Sequence, residues 1–254
     1  MTLFKSFFKY GLLLCLSGLI SEAYYAQSKP TKSNPHITKV VRASTAPVID
    51  GEANDAAWQN ATEYQLDQRW LGEPYTPQDF KGTFKLTWTS RGLYLLATIT
   101  DDVLLDTHKD PLELYWDDDC LEIFVDEDNS GGNHQYNHNA FAYHIALDGN
   151  IADMDTDQQA HLFNDDLKSV RITTGNTSIW EVFIPLFKDD FDITKENKQT
   201  TLQKGQYIGF ALAYCDNDYS AERENFIGSV PVEGEDKNRG WIDASIFGTL
   251  LLVE

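Results

Sequence analysis

Apolar and polar positions alternate along most of this chain, in short runs separated by clusters of glycine, proline, asparagine and aspartate. Alternation of period two is what a strand with one buried face requires. Such runs cover 37–43, 82–89, 93–100, 120–126, 140–147, 170–174, 179–184, 207–215 and 248–253. Within 120–126 the rule is strict: Leu121, Ile123 and Val125 share one face, and Cys120, Glu122, Phe124 and Asp126 share the other. The first set reads as core, the second as a face that water can reach. Helical periodicity is scarce. The pattern therefore predicts an all-β fold, an antiparallel β-sandwich of two packed sheets in the immunoglobulin or jelly-roll manner, with few or no helices beyond the leader. Ser90, Arg91 and Gly92 read as a hairpin turn between two runs. Longer Asp-rich connections at 105–119 and 151–166 belong at the sheet ends, where sandwich proteins often carry binding residues.

The pattern breaks at the start of the chain. Lys5 and Lys9 precede the apolar run 11–20, and small residues follow at Ser21 and Ala23, which is the layout of a secretory signal peptide over 1–23. That run is shorter than the roughly 20 apolar residues a membrane-spanning helix needs, and no later stretch approaches it. Cys15 stands behind three leucines, where lipid attachment wants small residues. Residues 24–36 are polar and read as a flexible tether, leaving 37–254 as one domain. The expectation is a protein secreted to the periplasm or the exterior, monomeric, and without an integral membrane segment after cleavage.

Charge narrows the partners. With 40 acidic against 20 basic residues the formal charge is −20, a field that repels phosphate backbones and anionic lipid surfaces. Nucleic acid is therefore excluded as an expected partner, whereas neutral sugars and calcium remain compatible. Beyond the leader the cysteines are Cys120 and Cys215. Each shares a strand face with the positions two residues away, so a disulfide between them is possible if those faces coincide; two separate buried thiols are the alternative.

Candidate chemistry lies in two places far apart in sequence. Trp116 stands six residues before Glu122, and Asn238 three before Trp241. Flat indoles suit the apolar C–H faces of a pyranose, and carboxylates or amides suit its hydroxyl rim. Taken alone, Glu122 is an ordinary strand carboxylate. Trp58, Trp88 and Trp180 read as core, and Trp70, in a Gly/Pro-containing loop, reads either way. The turn at Asp126, Asp128 and Ser130 offers oxygens at alternate positions, as a calcium loop does, although a solvated acidic turn has the same composition. Asp50, Glu52 and Asp55 form a second such cluster.

Four segments in order resemble the family 9 carbohydrate-binding modules. They are Val48 to Trp58, Leu86 to Leu95 with Asp101 and Asp102, Trp116 to Asp126, and Asn238 to Trp241 with Phe247 and Gly248. The resemblance covers the chain from about Arg42 onward. It implies a calcium-stabilised β-sandwich that clamps a terminal sugar of a polysaccharide or oligosaccharide, of the xylan or glucan class, between Trp116 and Trp241. Glu122 and Asn238 would hold its hydroxyls. Two positions depart from the family pattern: His144 replaces an arginine and Ala213 a glutamine, so the ligand can differ from the family's usual one.

Two rival functions have residue requirements of their own. A glycoside hydrolase needs a pair of suitably spaced carboxylates, which an acidic chain supplies without specificity. A haem-binding DOMON-like domain needs an axial Met or His pair, with Met154 the remaining methionine after the leader.

Overall fold

A computed structural model describes residues 37–254. The leader (1–23) and tether (24–36) expected from the sequence lie outside the described residues. The first strands are β1 (Ile37–Val41), β2 (Glu63–Leu66), β3 (Gln68–Leu71), β4 (Phe80–Thr89), β5 (Gly92–Asp101), β6 (Cys120–Asp126) and β7 (Phe141–Ala146). They are followed by β8 (Ile151–Met154), β9 (Ala160–Leu162), β10 (Lys168–Thr174), β11 (Thr177–Ile184), β12 (Tyr207–Asp216), β13 (Asn225–Gly228) and β14 (Gly248–Val253). One short helix, α1 (Ala56–Asn60), and 3₁₀ turns at Arg239–Trp241 and Ala244–Ile246 complete the described elements. No described helix is long and apolar enough to cross a membrane.

These strands form two sheets. The larger runs β1-β14-β12-β6-β7-β8-β9, with β13 and β3 continuing from the far half of β12. The smaller runs β10-β11-β5-β4-β2. Pairing is antiparallel throughout except at one edge, where β1 lies parallel to β14 with Ile37 opposite Thr249. The all-β sandwich is thus as expected, with that one pair making the larger sheet mixed.

Alternation explains the core. Leu121, Ile123 and Val125 of β6 join Ile208, Phe210, Leu212 and Tyr214 of β12 against Leu95, Ala97, Ile99, Trp180 and Val182 of the smaller sheet. Trp58, Trp88 and Trp180 are buried, as their strand and turn contexts require. Glu181, wholly buried on the smaller sheet, accepts bonds from Trp58 Nε1 (2.7 Å) and from the backbone N–H groups of Asp50 and Gly51 (3.0 Å each). One carboxylate therefore staples the segment around α1 onto β11.

The outer face of β6 differs from the expectation of a wet surface. Every residue of β6 is buried, because loops and β13 cover that face with a second apolar cluster that includes Phe124, Phe226, Val230, Val232 and Phe247. Trp70 belongs to it. Its indole donates to the Val230 carbonyl (2.8 Å) and lies so close to Gly228 that a Cβ there would meet the ring at 2.0 Å, so Trp70 is core.

Candidate functional site

The second cluster leaves a gap. On the outer face of the larger sheet the residues beneath it are small: Cys120, Ala142, Ala211, Ala213 and Cys215. A cavity of about 370 Å³ remains, within the size range of small-ligand sites. Its floor carries a polar row set by strand register, in which His144 of β7 pairs with Glu122 of β6, and Glu122 pairs with Ala213 of β12. Trp116 and Tyr115 reach the cavity from the β5–β6 connection, Tyr136 from the β6–β7 connection, and Asn238 and Trp241 from the segment before β14. All five candidate residues, Trp116, Glu122, His144, Asn238 and Trp241, line this one cavity. Trp116 is half-buried and Trp241 is 40% exposed, unlike the core tryptophans.

Glu122 and His144 form a buried ion pair, with Nε2 to Oε1 at 3.1 Å, while His144 Nδ1 bonds the Ala142 carbonyl at 2.9 Å. Burial alone would lower the imidazole pKa. The charge and hydrogen bond of Glu122 outweigh it, so the pKa is raised. Both ring nitrogens are engaged, which fixes the ring beside Tyr115, whose edge meets it with centroids 4.8 Å apart.

The Trp116 loop is rigidly tied. Asp117, Asp118 and Asp119, although acidic, are all buried. Asp118 accepts from Thr107 N, Thr107 Oγ1 and His108 N at 2.6–2.9 Å. Although burial opposes it, these bonds hold its carboxyl below the usual range. Asp119 accepts from Leu105 N (2.7 Å) and Asn217 N (2.8 Å), and Asn217 Nδ2 donates to the Asp117 carbonyl. Leu114, with φ of 50°, sits in the left-handed region just before the indole.

Sequence reasoning missed Arg223. It enters the cavity from the β12–β13 turn, with its guanidinium carbon 4.1 Å from the Phe226 ring centroid. A guanidinium is thus present although position 144 carries imidazole. The available signal was composition, since Arg223 is the one basic residue between Lys204 and Lys237.

Cys120 and Cys215 are cross-strand partners, so the shared face is confirmed, but both are free thiols and the possible disulfide is not formed. The Cys215 sulfur instead accepts a bond from Arg223 Nη1 at 3.1 Å. Its hydrogen bond with Cys215, together with burial, keeps the Cys120 thiol protonated.

Two acidic regions bear on metal binding. In the 126–131 turn, Asp126 Oδ2 accepts from Gly131 N (2.8 Å), Asp128 Oδ1 from Ser130 N (3.0 Å), and Ser130 Oγ bonds Asn139 Oδ1 (3.2 Å). These oxygens serve to close the turn. Behind the Trp116 loop, Asp101, Asp119 and Asp216 are all buried, and one oxygen of each lies within 4.8 Å of the others. Burial raises their pKa values to about 6, 9 and 8 respectively, helped by the charges of Asp218 and Asp102 at Asp101, of Asp101 and Asp216 at Asp119, and of Asp101 and Asp79 at Asp216. Asp216 Oδ1 is buried without a hydrogen-bond partner. That donor set fits a calcium ion better than the turn does.

The family model for the carbohydrate family 9 binding domain-like proteins matches residues 49–254. Exoglucanase XynX of Acetivibrio thermocellus is 27% identical over 223 residues, which is 85% of this chain and 18% of that protein. Endo-1,4-beta-xylanase A of Thermotoga maritima is 25% identical over 211 residues, 82% of this chain and 17% of that protein. The chain therefore spans less than a fifth of these relatives. Among solved structures, a family 9 module from Caldicellulosiruptor kristjanssonii in complex with cellotriose superposes with a TM-score of 0.63 at 21% identity, covering 85% of this chain and 93% of that one. A putative carbohydrate-binding protein from Bacteroides uniformis gives 0.55 at 14% identity, covering 85% and 99%. These structures speak for the fold, while the family match spans most of the chain: it belongs to the carbohydrate family 9 binding domain-like family.

Proposed function

We propose that this is a secreted, non-catalytic carbohydrate-binding protein that holds a terminal sugar of a xylan- or glucan-class saccharide between Trp116 and Trp241. Glu122, His144 and Asn238 take its hydroxyls, and the binding serves polysaccharide breakdown. The observation that carries this reading is the convergence of two solvent-reaching indoles with a carboxylate, an imidazole and an amide on one cavity of about 370 Å³. Apolar walls with a few fixed polar groups are what a pyranose needs. Titration calorimetry against mono- and oligosaccharides, including ends reduced with borohydride, tests it. Micromolar to millimolar binding of at least one sugar is expected, and absence of heat with all of them would overturn the proposal.

The rival readings fare less well on the same residues. Glycoside hydrolysis uses two carboxyl groups flanking the bond, and Glu122 is the one carboxylate among the described lining residues. For haem, Met154 and His144 do share the cavity, but both His144 ring nitrogens are occupied by Glu122 and Ala142. Iron ligation needs a free nitrogen lone pair there.

Structural calcium is part of the proposal, with Asp101, Asp119 and Asp216 as its holders in place of Asp126, Asp128 and Ser130. Calcium supplies the positive charge that lets three crowded carboxylates ionise together. The orphaned Asp216 oxygen supports this assignment.

A further inference from the structure

A guanidinium presents five N–H donors in a planar fork. At Arg223, Nη1 is held by Cys215 Sγ (3.1 Å) and the Trp116 carbonyl (3.5 Å), and Nη2 gives one hydrogen to Asn238 Oδ1 (2.7 Å). Two donors remain, the Nε hydrogen and the second Nη2 hydrogen, and neither meets a described residue. Phe226 covers one face of the group. Arg223, like Arg69, Arg91 and Arg171, forms no ion pair with any described carboxylate. Glu122, the nearest acid of the cavity wall, is already matched by His144.

A cation fixed at three points, lining a cavity and keeping two donors unused, has the form of a recognition element. Its three fixed points also explain its rigidity: they join β12, the Trp116 loop and the Asn238 segment. We infer that Arg223 is a ligand-contacting specificity residue, whose unused Nε and Nη2 donors grip two neighbouring acceptor oxygens of the bound sugar. This rests on the carbohydrate-binding reading and supplies its missing selectivity. Two neighbouring oxygens occur in sugars as vicinal hydroxyls or as the carboxylate of a uronic acid.

The test is calorimetry of wild type, Arg223→Gln and Arg223→Lys with glucose, xylose, the monodeoxyglucoses, glucuronic acid and its methyl ester. Thermal melts of each variant verify folding, and the lysine variant, which keeps charge but has no fork, serves if the glutamine variant melts early. For wild type, one analogue lacking a gripped oxygen should bind about 10- to 100-fold more weakly than its parent, the range for a charged hydrogen bond. In the variants that gap should close, because the parent weakens while the analogue does not. A gap between glucuronic acid and its ester identifies a carboxylate, and a gap at one deoxy position identifies hydroxyls. Equal affinity of wild type and variants for every sugar overturns the inference. So does an equal loss on every sugar, which would reduce Arg223 to a brace for Asn238. Wild type that binds no sugar defeats the carbohydrate-binding reading itself, and this inference with it.

Discussion

Single residues divide sharply into those whose role the sequence displays and those it hides. Trp116 and Trp241 stand close to polar residues in the sequence, and both reach the cavity. Replacing either by alanine should weaken sugar binding by about 2 kcal/mol or more, about 30-fold, as for a central aromatic contact. The melting temperature should stay within a few degrees, as differential scanning calorimetry would show. Alternation alone makes Glu122 an ordinary strand carboxylate and the family resemblance makes it a candidate, while His144 is its ion-pair partner only through register. Glu122→Gln removes the charge that opposes burial, so the His144 pKa should fall, and an NMR titration of the imidazole would record it. Arg223 was not legible. Nothing in Ser220-Ala-Glu-Arg-Glu-Asn225 points to a site, because its importance comes from where the β12–β13 turn delivers it. Acidic runs are usually solvated, but the aspartates at 117–119 are buried, because each carboxylate accepts from a backbone N–H.

Elements of strict alternation were read well, and short ones poorly. The runs 120–126 and 248–253 match β6 and β14 to the residue. β3 and β13 have four residues each, too few to establish a period, and they pair with one another at the edge of the second cluster. Their absence from the sequence reading is why the outer face of β6 looked open. A local contact outside the strands is equally consequential. Trp58 of α1 supplies one of the three donors that satisfy the buried Glu181. Trp58→Phe keeps most of the apolar volume but leaves the carboxylate short of a donor. A loss of about 1–3 kcal/mol is expected in urea unfolding, more than the lost area alone would give.

Across the whole molecule the formal charge is −20, and three of its acids, Asp101, Asp119 and Asp216, crowd together behind the Trp116 loop. Without a cation, Asp101, Asp119 and Asp216 have native pKa values of about 6, 9 and 8, all above the ordinary value near 4. The native state then binds more protons than the unfolded chain, so stability should fall as pH rises from about 4 through about 9. Calcium would take the place of those protons. Melts in a strong chelator should therefore drop between pH 5.5 and 8.5, and added calcium should reverse the drop at the upper pH. Identical pH curves with and without calcium would remove the metal from this end of the protein. The division of the tryptophans has a practical corollary. Trp58, Trp70, Trp88 and Trp180 are sealed in the interior, whereas Trp116 and Trp241 meet solvent. Intrinsic emission thus splits into an interior population that reports unfolding and a cavity population open to acrylamide quenching. A saturating saccharide should shield the second without disturbing the first, giving an optical readout of occupancy that needs no label.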